Sequence, residues 1–376
     1  LKHYELIKLL RYKKSLSLIL KIILEMSYKH FLFFFFLTLS VFCQNDILKK
    51  FNISGYGEFY YSYDFSNPSN HTKPNFLYNH KRHNEVNVNL MIIKTDFSDE
   101  NYRANFSIMA GNYPQYNLSS EPTWAQFINE ANLGIKLSNK NNLWLDVGIL
   151  PSHIGFESAI SSDCWTLTRS ILAENSPYYE TGIKLGYRSR GDKLYLAFLY
   201  LNGWQHIKKP NYILNPSFGT QINYQASKKL SINYSTFLGS DKPDSIHSFR
   251  HFHNIYLLYE PSNETGIIAG FDIGSDKYNT KQYGTWYSPV IIIRQYFNNK
   301  TQLAIRGEYY NDPNQIMITT GSPKGFQTLG LSANLDYEIM KNIKVRIEPK
   351  LYLSKDEIFD NKKQNFSITS NLTIKL

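Results

Sequence analysis

Between Phe51 and Leu376 the chain repeats one pattern, segments of about ten residues in which apolar and polar side chains alternate, separated in turn by short and long polar connections. A period of two sends successive side chains to opposite faces of an extended strand, so each segment is greasy on one side and wet on the other. The last segment shows it plainly. Phe366, Ile368, Leu372, Ile374 and Leu376 share one parity, while Ser367, Thr369, Asn371, Thr373 and Lys375 share the other. Leu329, Leu331, Ala333, Leu335 and Tyr337 oppose Thr328, Gly330, Ser332, Asn334 and Asp336 in the same way. Helical periodicity is absent from these runs.

The alternation places sixteen strands, at 51-64, 83-97, 102-111, 128-138, 143-151, 178-189, 193-203, 217-227, 229-239, 250-261, 265-275, 284-297, 301-310, 326-338, 342-353 and 364-376. An even number returns the last strand beside the first, as closure of a single-chain barrel demands. The connections SDEN (98-101), NKNN (139-142), RGDK (190-193), PSNET (261-265) and NNK (298-300) are tight and rich in turn formers. Between them fall longer loops at 65-82, 112-127, 204-216, 311-325 and, longest, 152-177. Short turns belong to the periplasmic mouth of such a barrel and long loops to the outside. The expected fold class is all-β, a closed antiparallel transmembrane β-barrel of about 16 strands. A soluble sandwich also alternates, but strands of ten or more residues exceed the usual five or six. Tyr61, Tyr63, Trp144, Tyr187, Tyr224, Tyr234, Trp286 and Tyr309 also sit near strand ends, as interfacial girdles do. A chain with 29 Tyr and 24 Phe but a mean hydropathy of only -0.38 fits strands with one apolar face. After Phe42 no run reaches the roughly 20 apolar residues of a membrane-spanning helix, so residence in a bilayer requires a barrel.

Export is expected from the first methionine onward. Met26 opens a segment with Lys29 and His30, the apolar run FLFFFFLTLSVF and then Cys43, which reads as a signal peptide over 26-43 with cleavage before Gln44. Residues 1-25 read as a leader or untranslated extension, and 44-376 as the barrel. Cys43 could instead be an acylated first residue, although Phe42 is bulky for that signal. Cys43 leaves with the signal, so Cys164 remains as one thiol and there is no disulfide framework. The segment through Cys43 carries seven of the 41 Lys and Arg and two of the 31 Asp and Glu. What remains is a mild, scattered basic excess, which is no nucleic-acid footprint.

The run GILPSHIGFESAISSDCWTLTRSILAENSPYYETGIKLGY from Gly148 to Tyr187, with ISGYGEFYYSYDF at 53-65, NHKRHNEVNVNL at 79-90 and LNGWQ at 201-205, resembles the OmpL-like β-barrel porins. The likeness implies an outer-membrane, porin-like barrel, surrounded by outer-membrane lipid and assembled by the barrel-assembly machinery. It implies small hydrophilic solutes as cargo without naming one. Leu376 stands where such a strand commonly ends in an aromatic residue, a departure from the usual assembly signal. Oligomeric state stays open, a homo-oligomer included.

Selectivity in a channel comes from the charges lining its lumen and from whatever narrows it. Taking the polar parity as inward, basic and acidic residues nearly balance, which predicts weak ion preference, with a locally basic wall where Arg306, Lys344 and Arg346 gather. The loop at 152-177 follows the fifth strand, the place from which the loop of sixteen-stranded porins folds inward. Within it Ser162 or Asp163 could start a short helix through CWTLTRSILAEN, ending before Pro177. The expectation is that this loop lines a constriction, with Glu157, Asp163 and Glu174 facing the basic wall and Arg169 adding the opposite sign. An external lid is the alternative.

Catalysis finds little support. No G-x-S-x-G elbow, H-E-x-x-H or P-loop is present. His247, His251 and His253 share a parity and could bind a metal, but they lack acidic neighbours. No catalytic residue, metal or cofactor is assigned. The alternatives to a channel are a barrel with ligand-binding or adhesive loops, or a hydrolase at the rim.

Overall fold

The computed structural model describes residues 48–376 apart from Asn139. Residues 1–47, which contain the expected leader and signal peptide, lie outside the described residues. The chain divides into two compact units, Leu1–Asn52 and Ile53–Leu376. The described part of the first is a 3₁₀ turn, Leu48–Lys50, and the opening residues of the first strand. The second is the barrel.

Sixteen strands follow one another in the order β1 (Phe51–Asp64), β2 (Val86–Ser98), β3 (Tyr102–Ala110), β4 (Ile128–Lys136), β5 (Asn142–Pro151), β6 (Tyr179–Arg188), β7 (Leu194–Leu201) and β8 (Ser217–Ser227), then β9 (Leu230–Gly239), β10 (Arg250–Tyr259), β11 (Thr265–Lys277), β12 (Tyr283–Tyr296), β13 (Thr301–Asp312), β14 (Phe326–Met340), β15 (Ile343–Ser354) and β16 (Gln364–Lys375). Each pairs with its neighbours in sequence, and β1 pairs antiparallel with β16 from Tyr56↔Lys375 to Asp64↔Ser367. The ring therefore has no free edge, and its ladder groups find partners within the wall. Among the described residues no helix is long and apolar enough to cross a membrane.

Alternation becomes two surfaces. On β13, Gln302, Ala304, Arg306, Glu308 and Tyr310 point inward and are buried, whereas Ile305 is 55% exposed on the outside. Ile293, Leu331, Ile347 and Leu372 share that outer surface, which suits acyl chains. Tyrosine and phenylalanine ring both rims, for example Tyr102 stacked on Phe97 at one end and Tyr63, Phe65 and Phe366 at the other. Two girdle assignments are corrected. Trp286 faces the lumen, buried against Gly274 and beside the Arg250 guanidinium, and Trp144 faces inward beneath Arg103. Both lie on the inward parity of their strands.

The periplasmic turns are tight, the shortest being the two-residue links between β8 and β9 and between β14 and β15. The outer loops are long. We number them in order, so that L1 is 65–85, L2 is 111–127, L3 is 152–178, L4 is 202–216, L7 is 313–325 and L8 is 355–363. L2 carries helix α1 (Asn112–Asn117), and L3 carries helix α2 (Ile171–Glu174). The loops turn inward and bury, among others, Phe76 and Leu77 of L1, Tyr113 and Leu118 of L2, Ile154, Leu167, Ile171 and Leu172 of L3, and Trp204 of L4.

Candidate functional site

The wall makes room for L3 before L3 is considered. Inward positions normally carry side chains, yet several carry glycine, and at three of these an L3 ring occupies the gap. A methyl group on Gly219 would lie 2.6 Å from His153, one on Gly266 2.5 Å from Trp165, and one on Gly270 2.6 Å from Phe156. Strands β8 and β11 are thus shaped to receive this loop.

Polar bonds hold it on both sides of the lumen. His153 Nε2 lies 2.8 Å from the Thr236 carbonyl, which only accepts, while Nδ1 lies 2.7 Å from Glu180. Burial disfavours the charged ring, but the Glu180 carboxylate outweighs it and raises the imidazole pKa above its ordinary value. Farther along, Leu167 N–H donates to Asn334, and Thr168 N–H donates to Glu348 at 2.6 Å. Ile171 N–H donates to Glu308 at 2.5 Å. Arg306 donates to Thr166 Oγ1, the Thr168 carbonyl and Glu348. Arg346 reaches the Ser161 and Cys164 carbonyls, and Lys350 the Arg169 carbonyl. Ser161 hydroxyl donates to Glu58 on β1 at 2.8 Å.

The expected helix does not run through this segment. L3 has a 3₁₀ turn at Ser161–Asp163 and the single turn α2, capped by the Ser170 hydroxyl. Between them the chain is non-helical, because wall carboxylates and Asn334 claim the amides of Leu167 and Thr168 that an α-helix would bond internally.

The seven expected constriction residues divide accordingly. Glu157 does face the wall, 3.6 Å from Arg306, and also accepts from the Ser170 amide and hydroxyl; burial raises its carboxyl pKa. Arg306 and Arg346 are both fully buried. Asp163 points elsewhere and pairs with Lys375, in a partly exposed contact. Glu174 turns to L1, accepting from the Tyr78 amide at 2.8 Å and from Asn79; burial raises its carboxyl pKa. Arg169 spans L3 itself, donating to the Ser158, Leu167 and Ala159 carbonyls. Lys344 lies 3.5 Å from Asp336. The wall is not basic. Arg306 lies between Glu308 at 3.4 Å and Glu348 at 2.8 Å, and Arg346 is 2.6 Å from Asp336.

Glu58, His153, Glu308 and Glu348, and the three glycines, complete the arrangement. For the wall residues the signal was present as inward parity, but which loop each would meet was not; His153 lies in L3 itself, where no parity applies. Cys164 is buried, and burial raises its thiol pKa. His253 bonds the Tyr234 hydroxyl on the outer face, and among the described residues no group of His, Cys, Asp or Glu is placed to hold a metal.

Cavities remain in the barrel among the described residues, and two of them bear on function. One of about 540 Å³ lies among L1, L7 and L8 at the outer mouth. The other, of about 350 Å³, runs along β3 to β7 and is lined by Arg103, Asp146, Lys184 and Tyr195. A ring of sixteen strands with an inward loop after β5, lined by paired charges, defines the porin class of outer-membrane channels for small solutes. The chain belongs to the family described as "Putative beta-barrel porin-2, OmpL-like", whose model matches residues 50–376. Its fold is similar to that of the outer membrane channel DcaP of Acinetobacter baumannii, with TM-score 0.58 and 11% identity over 87% of this chain and 97% of that one. It is likewise similar to an anion-selective porin from Comamonas acidovorans, with TM-score 0.59 and 8% identity over 87% and 99%. Salmonella typhi OmpF, in a complex with daunomycin, gives TM-score 0.57 and 11% identity over 87% and 97%. At such identities the likeness is one of fold. No curated protein matches the sequence.

Proposed function

We propose that this barrel is a passive diffusion channel with weak charge preference, that L3 sets its narrowest level, and that it carries out no catalysis. The observation that carries the reading is the reception of L3 by the wall, where three inward glycines accommodate its rings and Arg306, Arg346 and Lys350 bond its backbone. Balanced charge at that level supports the weak preference, since Arg306 and Arg346 each have a carboxylate on the same wall. The position described for L3 is the restricting one, and passage requires solutes to move past it or displace it. Export through cleavage after Cys43 belongs to the same reading and is tested by N-terminal sequencing of the mature protein.

Purified protein in a planar bilayer should give discrete current steps, with a reversal potential near zero in a salt gradient. Absence of steps at every voltage, together with no swelling of protein-loaded liposomes in small sugars, would overturn the reading. Hydrolysis of a rim substrate by a barrel that passes no current would favour an enzyme instead.

A further inference from the structure

We propose that the cavity at the outer mouth is a binding site for a small, hydroxyl-rich monocarboxylate, anchored by the Lys73 ammonium. This names a solute class for the channel reading, on which its purpose rests, although binding can be measured without current.

The cavity of about 540 Å³ falls within the usual size of small-molecule sites. One wall of it is L1, which is locally rigid: the Lys73 amide donates to the Lys81 carbonyl at 2.9 Å, and Lys81 Nζ bonds the Pro74 carbonyl at 2.8 Å. Lys73 lines the cavity and is only 4% exposed. Its side chain makes no hydrogen bond or ion pair among the described residues, whereas its neighbour Lys350 is taken by Glu308 and the Arg169 carbonyl. The Lys73 side chain is thus largely desolvated while its ammonium has no partner, a cost that an incoming anion removes.

The nearby acids do not serve as its partner, and they limit the guest. Asp64 accepts from Asn365 at 2.8 and 2.9 Å and from the Ser66 amide, and Asp360 stands at the exposed rim. A second negative charge on the guest would face both, which selects a monoanion. Elsewhere the lining is amide and hydroxyl, with Asn67, Asn70, Asn75, Ser69 and Thr320 above a floor containing Phe76 and Phe359. Amides and hydroxyls both donate and accept, as the hydroxyls of a polyol require. Burial pushes the Lys73 ammonium down to about 8, with Lys350 adding to the shift and Asp64, Glu174 and Glu348 opposing it.

Gluconate is a suitable probe and sorbitol its neutral counterpart, titrated by calorimetry into the mature barrel in detergent. Saturable gluconate binding is expected, weaker by about tenfold or more for sorbitol and for Lys73→Met, and retained by Lys73→Arg. Affinity should fall as pH rises from about 7 to about 9.5, because the ammonium loses its proton over that range. Ser69→Trp, made at the exposed rim, should block the cavity while leaving the lysine in place. Heat-dependent electrophoretic mobility reports folding of each variant. Equal gluconate affinity in folded Lys73→Met, or no saturable binding of gluconate to the unaltered barrel below about 10 mM, overturns the site. Current steps without gluconate binding would leave the channel and remove the site; binding without steps would do the reverse.

Discussion

Removing residues 156–174 and joining the remaining ends of L3 by a short Gly-Ser link should turn a nearly filled lumen into an open one. The graft is sterically simple, because Pro151 and Tyr179 face each other in the β5–β6 ladder, so the loop leaves and rejoins the wall at one place. Sixteen strands about 4.8 Å apart and tilted by about 40° close on a circumference of about 100 Å, a backbone radius of about 16 Å. Inward side chains take about 5 Å of that, half the ~10 Å spacing of packed sheets, which leaves a bore about 11 Å in radius. Conductance of an aqueous bore follows its cross-section, so the deletion should raise the single-channel step severalfold and admit solutes that the intact protein excludes. The wall should survive, since Arg306 keeps Glu308 and Glu348, and Arg346 keeps Asp336. Single-channel recording in a planar bilayer, with liposome swelling in sugars of increasing size, gives the answer. An unchanged step and an unchanged size cut-off in a folded deletion variant would refute the assignment of L3 as the limiting element.

A milder displacement should act in the same direction: Gly270→Leu puts a side chain where the Phe156 ring lies, and conductance should rise while the barrel still folds. Cys164, buried within L3, should resist a maleimide in the unaltered protein and react in Gly270→Leu, as mass spectrometry would show. Arg306→Ala leaves Glu348 buried without its 2.8 Å cation, while Glu308 keeps Lys350, and should cost about 3–5 kcal/mol in denaturant unfolding. Leu331→Arg, on the lipid face near the middle of β14, should cost about 2–4 kcal/mol and lower the yield of folded barrel.

The wall was legible because a membrane imposes a rule with few exceptions: one parity meets lipid, and every strand must find two neighbours. Sixteen strands were therefore placed within a few residues, β1 and β8 at their observed bounds. Loops obey no such period. The short helix expected through CWTLTRSILAEN misled because such a pattern scores side chains, whereas the shape of L3 was decided by backbone amides that Glu348, Asn334 and Glu308 capture from strands more than a hundred residues away. Charge was misjudged for a related reason. Grouping Arg306, Lys344 and Arg346 as one basic surface discounted Glu308 and Glu348, two residues along the same strands, and Asp336, which pairing sets opposite Arg346. Glycines at inward positions were the signal that could have located the loop, since a lumen position without a side chain makes space for something else.

Glu58 of β1 holds Asn371 of β16, His80 of L1 and Ser161 of L3 at a single carboxylate. The strand pair that completes the ring and the segments that fill it are thus fastened together, and the full set of bonds exists only when both are in place. Sealing the circle and seating its contents become one cooperative event, so loosening the inner loops should make the junction of first and last strands easier to part during assembly.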